Sequence, residues 1–169
     1  MTPGLRSTLR RAVAACAFAL AQAAAALEPG AIAPEFVLPG STGQTMSLSA
    51  LRGKVVYVDF WASWCTPCRR SLPWLDGMVQ RYGTRGLTAV AINVDQRRSD
   101  ADRFLAQVPT RLPLAFDTAG TTAKQFDVKA MPTSFIIGRD GKVRAVHAGY
   151  RDSDAAAREA QLQKLLAEP

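Results

Sequence analysis

Cysteine and histidine are scarce in this sequence of 169 residues, which has three cysteines and one histidine. After residue 27 only Cys65 and Cys68 remain, three positions apart. Two cysteines cannot form the disulfide framework of a small secreted domain. That part of the chain also lacks the four ligands of a structural zinc site, because His147 is its only imidazole. The cysteine pair therefore needs another explanation.

The chain has only a moderate excess of positive charge and little low-complexity sequence. The chain is 48% hydrophobic and 21% charged, which excludes a collagen-like or largely disordered protein. Its net charge of +7 falls to +4 without the three arginines in residues 1–26. The basic side chains are scattered among acidic ones, so nucleic acid is not a predicted partner. The length fits one domain with a full core, which we expect to span residues 27–169.

Residues 1–26 have the pattern of a secretory signal peptide. Three arginines precede an apolar run that begins at Ala12 and ends in Ala24, Ala25 and Ala26, an A-x-A-like cleavage site. An uncleaved membrane anchor is the alternative, although the run is short and consists mostly of alanine. A lipoprotein box at Cys16 does not fit, because only four residues separate it from the last arginine. We expect export to the periplasm of a bacterium, with cleavage near Ala26.

The remaining chain alternates between strand and helix patterns. Residues 54–60 are rich in β-branched and aromatic side chains, which predicts a buried strand. Residues 87–94 are a nearly continuous apolar run, typical of a central strand that is covered on both faces. An Asp-Gly turn at 140–141 indicates a hairpin near the end. The order predicts an α/β sheet that starts with parallel units and ends in that hairpin. Predicted strands are 35–38, 54–60, 87–94, 114–116, 133–137 and 143–148, and predicted helices are 67–82, 100–107, 121–126 and 155–166.

Cys65 and Cys68 lie where the first long strand turns into a helix. Their i, i+3 spacing places both sulfurs on one face, close enough to bond. Free N–H groups and the macrodipole at a helix start stabilise a thiolate, so Cys65 is the predicted nucleophile and Cys68 the resolving thiol. Pro67 suits the first helical turn because it has no N–H to satisfy. An inert disulfide is the alternative, but a bond across two residues closes a minimal loop and adds little stability.

Residues 60–68, Phe-Trp-Ala-Ser-Trp-Cys-Thr-Pro-Cys, resemble the thioredoxin active-site signature. The upstream residues are similar to those of the exported TlpA/ResA-like branch, and the resemblance extends from Gly30 to the last helix. It implies a thioredoxin fold, a central mixed β-sheet flanked by helices, with an N-terminal extension and an extra strand and helix between about residues 94 and 126. It implies thiol–disulfide oxidoreductase activity without a dissociable cofactor. The matching upstream residues are Gly30, Ala33, Pro34, Phe36, Leu38, Gly43, Leu48, Leu51, Gly53 and Lys54.

The resemblance assigns further residues to the site. Met131, Pro132 and Thr133 match the cis-proline loop, which packs beside the cysteines and offers backbone groups to an extended substrate. Asp59 matches a buried carboxylate that accepts the proton of the resolving cysteine. A buried strand is a poor place for an unpaired carboxylate, which favours a functional role. Substrate contacts are also expected from the residues around the cysteines, namely Trp64, Thr66 and Pro67.

One position departs from the branch. Some ResA-like proteins have a glutamate three residues after the second cysteine, where this chain has Ser71. Specificities that depend on that glutamate cannot be transferred to this protein. Proton transfer is therefore expected to follow the thioredoxin pattern, through Asp59.

The resemblance implies a periplasmic reductant of exported proteins, with apocytochrome c or copper-site assembly proteins as substrates and a membrane thiol transporter as electron donor. A copper-binding chaperone that uses Cys65, Cys68 and His147 is the alternative. Such chaperones usually have three residues between their cysteines, which counts against it. A peroxidase is a third possibility, but the sequence lacks the P-x-x-x-T-x-x-C context of a peroxidatic cysteine.

Overall fold

A central sheet of five strands dominates the computed structural model, which describes residues 27–168. The predicted signal peptide, with Cys16 and the cleavage site near Ala26, lies outside the described residues. The strands are β1 (Val37–Pro39), β2 (Thr45–Ser47), β3 (Val55–Trp61), β4 (Leu87–Asn93), β5 (Leu114–Phe116), β6 (Thr133–Ile137) and β7 (Val143–Ala148). The helices are α1 (Cys68–Tyr82), α2 (Arg98–Gln107), α3 (Thr121–Gln125) and α4 (Ala155–Leu166).

The sheet is mixed and has the strand order β5-β4-β3-β6-β7. Strands β3, β4 and β5 are parallel, whereas β6 is antiparallel to both β3 and β7. Trp61 at the end of β3 is paired with Asn93 at the end of β4. Because these carboxyl ends share one edge of the sheet, the segments that follow them lie side by side.

Two hydrophobic clusters cover the two faces of the sheet, and β3 contributes to both. Val56, Val58 and Phe60 face the N-terminal segment and the end of α3. Tyr57 and Trp61 face a cluster that contains residues of α1, α2 and α4. Since strand side chains alternate between faces, the intervening Asp59 points to the same side as Tyr57 and Trp61. The sheet therefore places a carboxylate beneath the helix that begins at the cysteines.

The predicted thioredoxin fold is confirmed, including the N-terminal hairpin of β1 and β2 and the insertion of α2 and β5. The bounds of β5, β6, β7 and α4 are those predicted from the sequence. Strand β1 is displaced by two residues at its start. Strand β2 was not predicted, because it has only three residues, two of them polar, and it gains order by pairing with β1. Helix α2 begins two residues earlier than predicted, and an ion pair between Arg98 and Asp102 spans its first turn.

The final hairpin turns through residues 138–141, which include the predicted Asp140 and Gly141. The amide of Gly141 donates to the carbonyl of Gly138 at 2.9 Å, and Gly141 has a positive φ of 79° that favours glycine. Within residues 27–168, no helix combines the length and the apolar character that crossing a bilayer requires.

Candidate active site

Cys65 and Cys68 form a disulfide in the connection between β3 and α1, with their Cα atoms 5.4 Å apart. Both cysteines are buried, with Cys65 3% exposed and Cys68 completely inaccessible. The amide of Cys68 also donates a hydrogen bond to the sulfur of Cys65 at 3.2 Å. A backbone donor at this sulfur favours its thiolate once the disulfide is reduced.

Helix α1 begins later than the sequence predicted. It starts at Cys68, with Pro67 as the residue before the first turn, so Cys65 precedes the helix by three residues. Pro67 lies at the N-cap, but its backbone angles are helical and its carbonyl accepts from the amide of Ser71 at 3.1 Å, so it fits the helix start as expected. The predicted electrostatic effect still has a structural basis, because the first amide of α1 points at the sulfur of Cys65.

Exposed residues surround the buried disulfide. Trp64 is 68% exposed, Thr66 is also exposed, and Pro67 is half-buried. A surface groove of about 520 Å³ runs from Trp64 along the segment that follows β4, where Gln96 and Arg97 line it. An exposed indole beside a groove is a suitable surface for an extended polypeptide.

The peptide bond between Met131 and Pro132 is cis, which is the isomer that the family resemblance implies. Met131 is half-buried and packs against the hydrophobic cluster that contains both cysteines. The hydroxyl of Thr133 donates to the carbonyl of Ala130 at 2.7 Å, and the carbonyl of Pro132 accepts from Gly149 at 2.7 Å. Among the described residues, the backbone N–H and C=O of Met131 have no partner. In this loop, Met131 is thus the residue whose backbone N–H and C=O are available for hydrogen bonds.

A buried acid that the sequence did not single out orders the segment before the cysteines. Asp95 follows β4, and its carboxylate accepts from the amide and the hydroxyl of Ser63, both at 2.9 Å. The side-chain amide of Asn93 also donates to Asp95, at 2.7 Å. These bonds tie the β3–α1 connection to the end of β4, which holds the redox segment in place. The signal that could have identified Asp95 was its position just after β4, whose carboxyl end lies beside that of the parallel strand β3.

Asp59 is 2% exposed, and its environment is poor in hydrogen bonds. The hydroxyl of Ser71 donates to its carboxylate at 3.5 Å, and this is the one side-chain hydrogen bond of Asp59 in the described structure. Burial raises the pKa of Asp59 to about 7, against the opposing influences of the Arg158 charge and the Ser71 hydroxyl. A carboxyl group with this pKa can both hold and release a proton near neutral pH. Ser71 lies one helical turn after Cys68, so it links the helix of the cysteines to Asp59.

Arg158 of α4 is 5% exposed and lies on the same side of the sheet as Asp59. Its guanidinium donates to the carbonyl of Gly149 at 2.7 Å and to the hydroxyl of Tyr57 at 3.5 Å. The Tyr57 hydroxyl is also hydrogen-bonded to Ser134 at 2.9 Å. Burial, followed by the charge of Asp59, raises the pKa of Tyr57 to about 12, so Tyr57 is neutral in this network.

Sequence reasoning did not identify Arg158 as part of the site. The available signal was its spacing from Leu162, Leu165 and Leu166, which places it on the buried stripe of α4. An arginine in an apolar stripe is costly unless it has partners. Helical periodicity alone could not predict which groups are the partners of Arg158.

His147 does not join the cysteines. It is half-buried on β7, and its Nε2 is hydrogen-bonded to the side-chain oxygen of Gln161 at 3.0 Å. Burial, helped by the charge of Arg158, lowers the pKa of His147. Within the part of the chain that the structure describes, no three His, Cys, Asp or Glu side chains are grouped to hold a metal ion.

A Cys-x-x-Cys disulfide at the start of α1, a cis-proline loop and a buried carboxylate on the central strand define a thioredoxin-fold thiol–disulfide oxidoreductase. A family model described as AhpC/TSA family matches residues 29–146, and the chain belongs to that family. The predicted ResA-type resemblance is also confirmed by the comparisons with known proteins.

The chain is 32% identical over 123 residues to the thiol-disulfide oxidoreductase ResA of Bacillus subtilis (strain 168), which covers 73% of this chain and 69% of that protein. It is 33% identical over 117 residues to ResA of Bacillus thuringiensis subsp. konkukian, covering 69% of this chain and 68% of the relative. A crystal structure from Chlorobium tepidum, named as a thiol:disulfide interchange protein DsbE, superposes with a TM-score of 0.81 at 49% identity. That match covers 83% of this chain and 99% of the solved chain.

Proposed function

We propose that this protein is a periplasmic reductant of disulfides in exported proteins. The observation that carries the proposal is the asymmetry of the cysteine pair: the sulfur of Cys65 accepts a hydrogen bond from the Cys68 amide, and Cys65 lies next to the exposed Trp64 and Thr66. The predicted signal peptide of residues 1–26 supports export of a thioredoxin-like domain formed by residues 27–169. If the N-terminus is not cleaved, the same domain is anchored in the inner membrane and faces the periplasm.

In the proposed reaction, the thiolate of Cys65 attacks a substrate disulfide, forms a mixed disulfide and releases one substrate thiolate. Asp59 then accepts the proton of Cys68, directly or through water. The Cys68 thiolate attacks the sulfur of Cys65, which breaks the mixed disulfide and releases the second substrate thiolate. The substrate gains two electrons and the protein becomes the Cys65–Cys68 disulfide. A membrane thiol transporter returns it to the dithiol form.

The substrate is proposed to bind as an extended segment across the cis-proline loop and the exposed rim. The free backbone groups of Met131 allow strand-like pairing, with Pro132 and Thr133 holding the loop in shape. Trp64 and its groove add apolar contact, and Thr66 and Pro67 complete the rim. Apocytochrome c and copper-site assembly proteins are the proposed substrates, on the strength of the ResA-type relationship.

Reduction of insulin disulfides by the dithiol form tests the activity, and two cysteine variants test the assignment. Cys65→Ser should abolish the reaction. Cys68→Ser should react once and retain the substrate as a mixed disulfide, and in cells this variant should capture the physiological substrate. Full activity of Cys65→Ser would show that the nucleophile is assigned wrongly. A mixed disulfide at Cys68 in a Cys65→Ser protein would reverse the two roles.

A further inference from the structure

Two groups of opposite charge are buried on the same side of the sheet without forming an ion pair. Asp59 and Arg158 are 2% and 5% exposed, yet no ion pair within 4.0 Å joins them in the described residues. Asp59 has one long hydrogen bond, from Ser71, and one nitrogen of the Arg158 guanidinium, Nε, has no partner among the described residues. The charge of Arg158 therefore favours the ionised form of Asp59, which burial otherwise disfavours.

We propose that Arg158 is a positioning residue for the redox reaction, and that its guanidinium is the counter-charge that lets Asp59 ionise and accept the proton of Cys68. This inference rests on the proposed role of Asp59 as proton acceptor. A direct ion pair would hold Asp59 permanently as a carboxylate. At a greater distance, the same positive charge favours the ionised form while leaving the carboxyl group free to take up a proton.

Arg158 is held where it can act in this way. The carbonyl of Gly149 anchors one end of its guanidinium at 2.7 Å, and the ring of Tyr150 lies 5.3 Å from its central carbon. The bond to Tyr57, two residues before Asp59 on β3, directs the group toward the carboxylate side of the strand. An arginine stays protonated at all physiological pH values, so the charge that it supplies is constant.

Arg158 is assigned this positive charge because the neighbouring titratable groups are neutral or already paired. Tyr57 and His147 are neutral near pH 7, because the pKa of Tyr57 is raised and that of His147 is lowered. Asp154, just before α4, is partly exposed and pairs with Arg151 at 3.3 Å, so its charge is already neutralised and screened. The titratable groups that face Asp59 or Arg158 from the neighbouring elements are Tyr57, Cys68 of the reduced protein, His147, Tyr150 and Asp154.

Arg158→Met removes the charge and keeps much of the side-chain volume, and carboxyl-carbon NMR can follow the titration of Asp59 in the oxidised protein. The midpoint should rise by about one pH unit or more in Arg158→Met. Arg158→Lys should restore most of the wild-type midpoint. Lys164→Met is the matched control, because it removes one exposed positive charge from the same helix and should leave the midpoint in place. Arg158→Gln replaces Arg158→Met if the latter does not fold.

The pH profile of mixed-disulfide resolution separates the possible failures. Arg158→Met should shift this profile to higher pH, and the shift should vanish when Asp59 is replaced by asparagine. An unchanged NMR midpoint in folded Arg158→Met overturns the inference, as does a moved midpoint with an unchanged resolution profile. In both cases the proposed role of Asp59 stands, provided that Asp59→Asn alone alters the profile. If Asp59→Asn leaves the profile unchanged, Asp59 is not the proton acceptor, and the proposed role of Arg158 is wrong as well.

Discussion

Asp95 and Ser63 are 32 residues apart in the chain and are joined by two hydrogen bonds, from the amide and the hydroxyl of Ser63 to the two carboxylate oxygens. Ser63 lies two residues before Cys65, so this contact fixes the segment that presents the nucleophile. Asn93 reinforces it, because its side chain donates to Asp95 and accepts from the Asp95 amide at 3.0 Å. The position of the redox pair thus depends on the end of the neighbouring strand.

Asp95→Ala should destabilise the protein and slow disulfide reduction. The substitution leaves three donors without their acceptor, one buried and two partly buried, which costs about 1–3 kcal/mol in the free energy of unfolding. Denaturant unfolding and single-turnover reduction of insulin measure the two effects. Asp102→Ala is the control, since its ion pair with Arg98 is half-exposed and should contribute little. Wild-type rates in Asp95→Ala would show that the contact supports folding alone.

The buried carboxyl group of Asp59 should make the stability of the oxidised protein depend on pH. Its folded pKa is about 7, above the value of about 3.9 in an unfolded chain, so the folded state binds the proton more tightly. Stability from this group is therefore fully present below about pH 4 and is lost as the pH rises to about 7. Asp59→Asn does not lose this stability. As the pH rises across this window, the variant should therefore gain on the order of 2–4 kcal/mol in unfolding free energy relative to wild type.

Denaturant unfolding of both proteins between pH 4 and 8 measures this difference. The same variant should resolve mixed disulfides more slowly at pH 7, because Cys68 loses its proton acceptor. Asp152→Asn is the control, because that side chain is 71% exposed and should change the unfolding free energy by less than about 0.5 kcal/mol. A lower stability of Asp59→Asn at pH 8, with an unchanged resolution rate, would make Asp59 a structural residue.

Trp64→Ala should weaken substrate binding without weakening the fold. The indole is 68% exposed, so its removal should change the unfolding free energy by about 0.5 kcal/mol or less. The loss of an aromatic contact beside the nucleophile should raise KM about fivefold or more, with kcat less affected. Val37→Ala removes an exposed apolar side chain of β1 and serves as the control. An unchanged KM would exclude Trp64 from the substrate surface.

The exported protein should begin near Leu27. The reason is the order of a basic segment, a short apolar run and the three alanines that end at Ala26. N-terminal sequencing of the protein from the periplasmic fraction measures the cleavage position. A product that retains residues 1–26 and sediments with membranes would instead establish the anchored form.

Local patterns in the sequence were sufficient for most of the fold. The apolar runs of β3 and β4 predict central strands because both faces of these strands are covered. The stripe of Leu72, Leu75 and Met78 predicts α1 because side chains recur on a helix face every three or four residues. The Cys-x-x-Cys spacing indicated the redox pair, and the thioredoxin resemblance, supported by the position of an acid inside a buried strand, singled out Asp59.

The tertiary structure decided which groups surround those residues. Only the packing of α1 on the sheet places the hydroxyl of Ser71 against Asp59. Arg158 is 101 residues from Tyr57 in the chain, and Asp95 reaches Ser63 only because β3 and β4 are adjacent and parallel. Periodicity along a chain specifies the face on which a side chain lies. The partner that it meets across that face depends on how helix and sheet pack together, which local sequence does not encode.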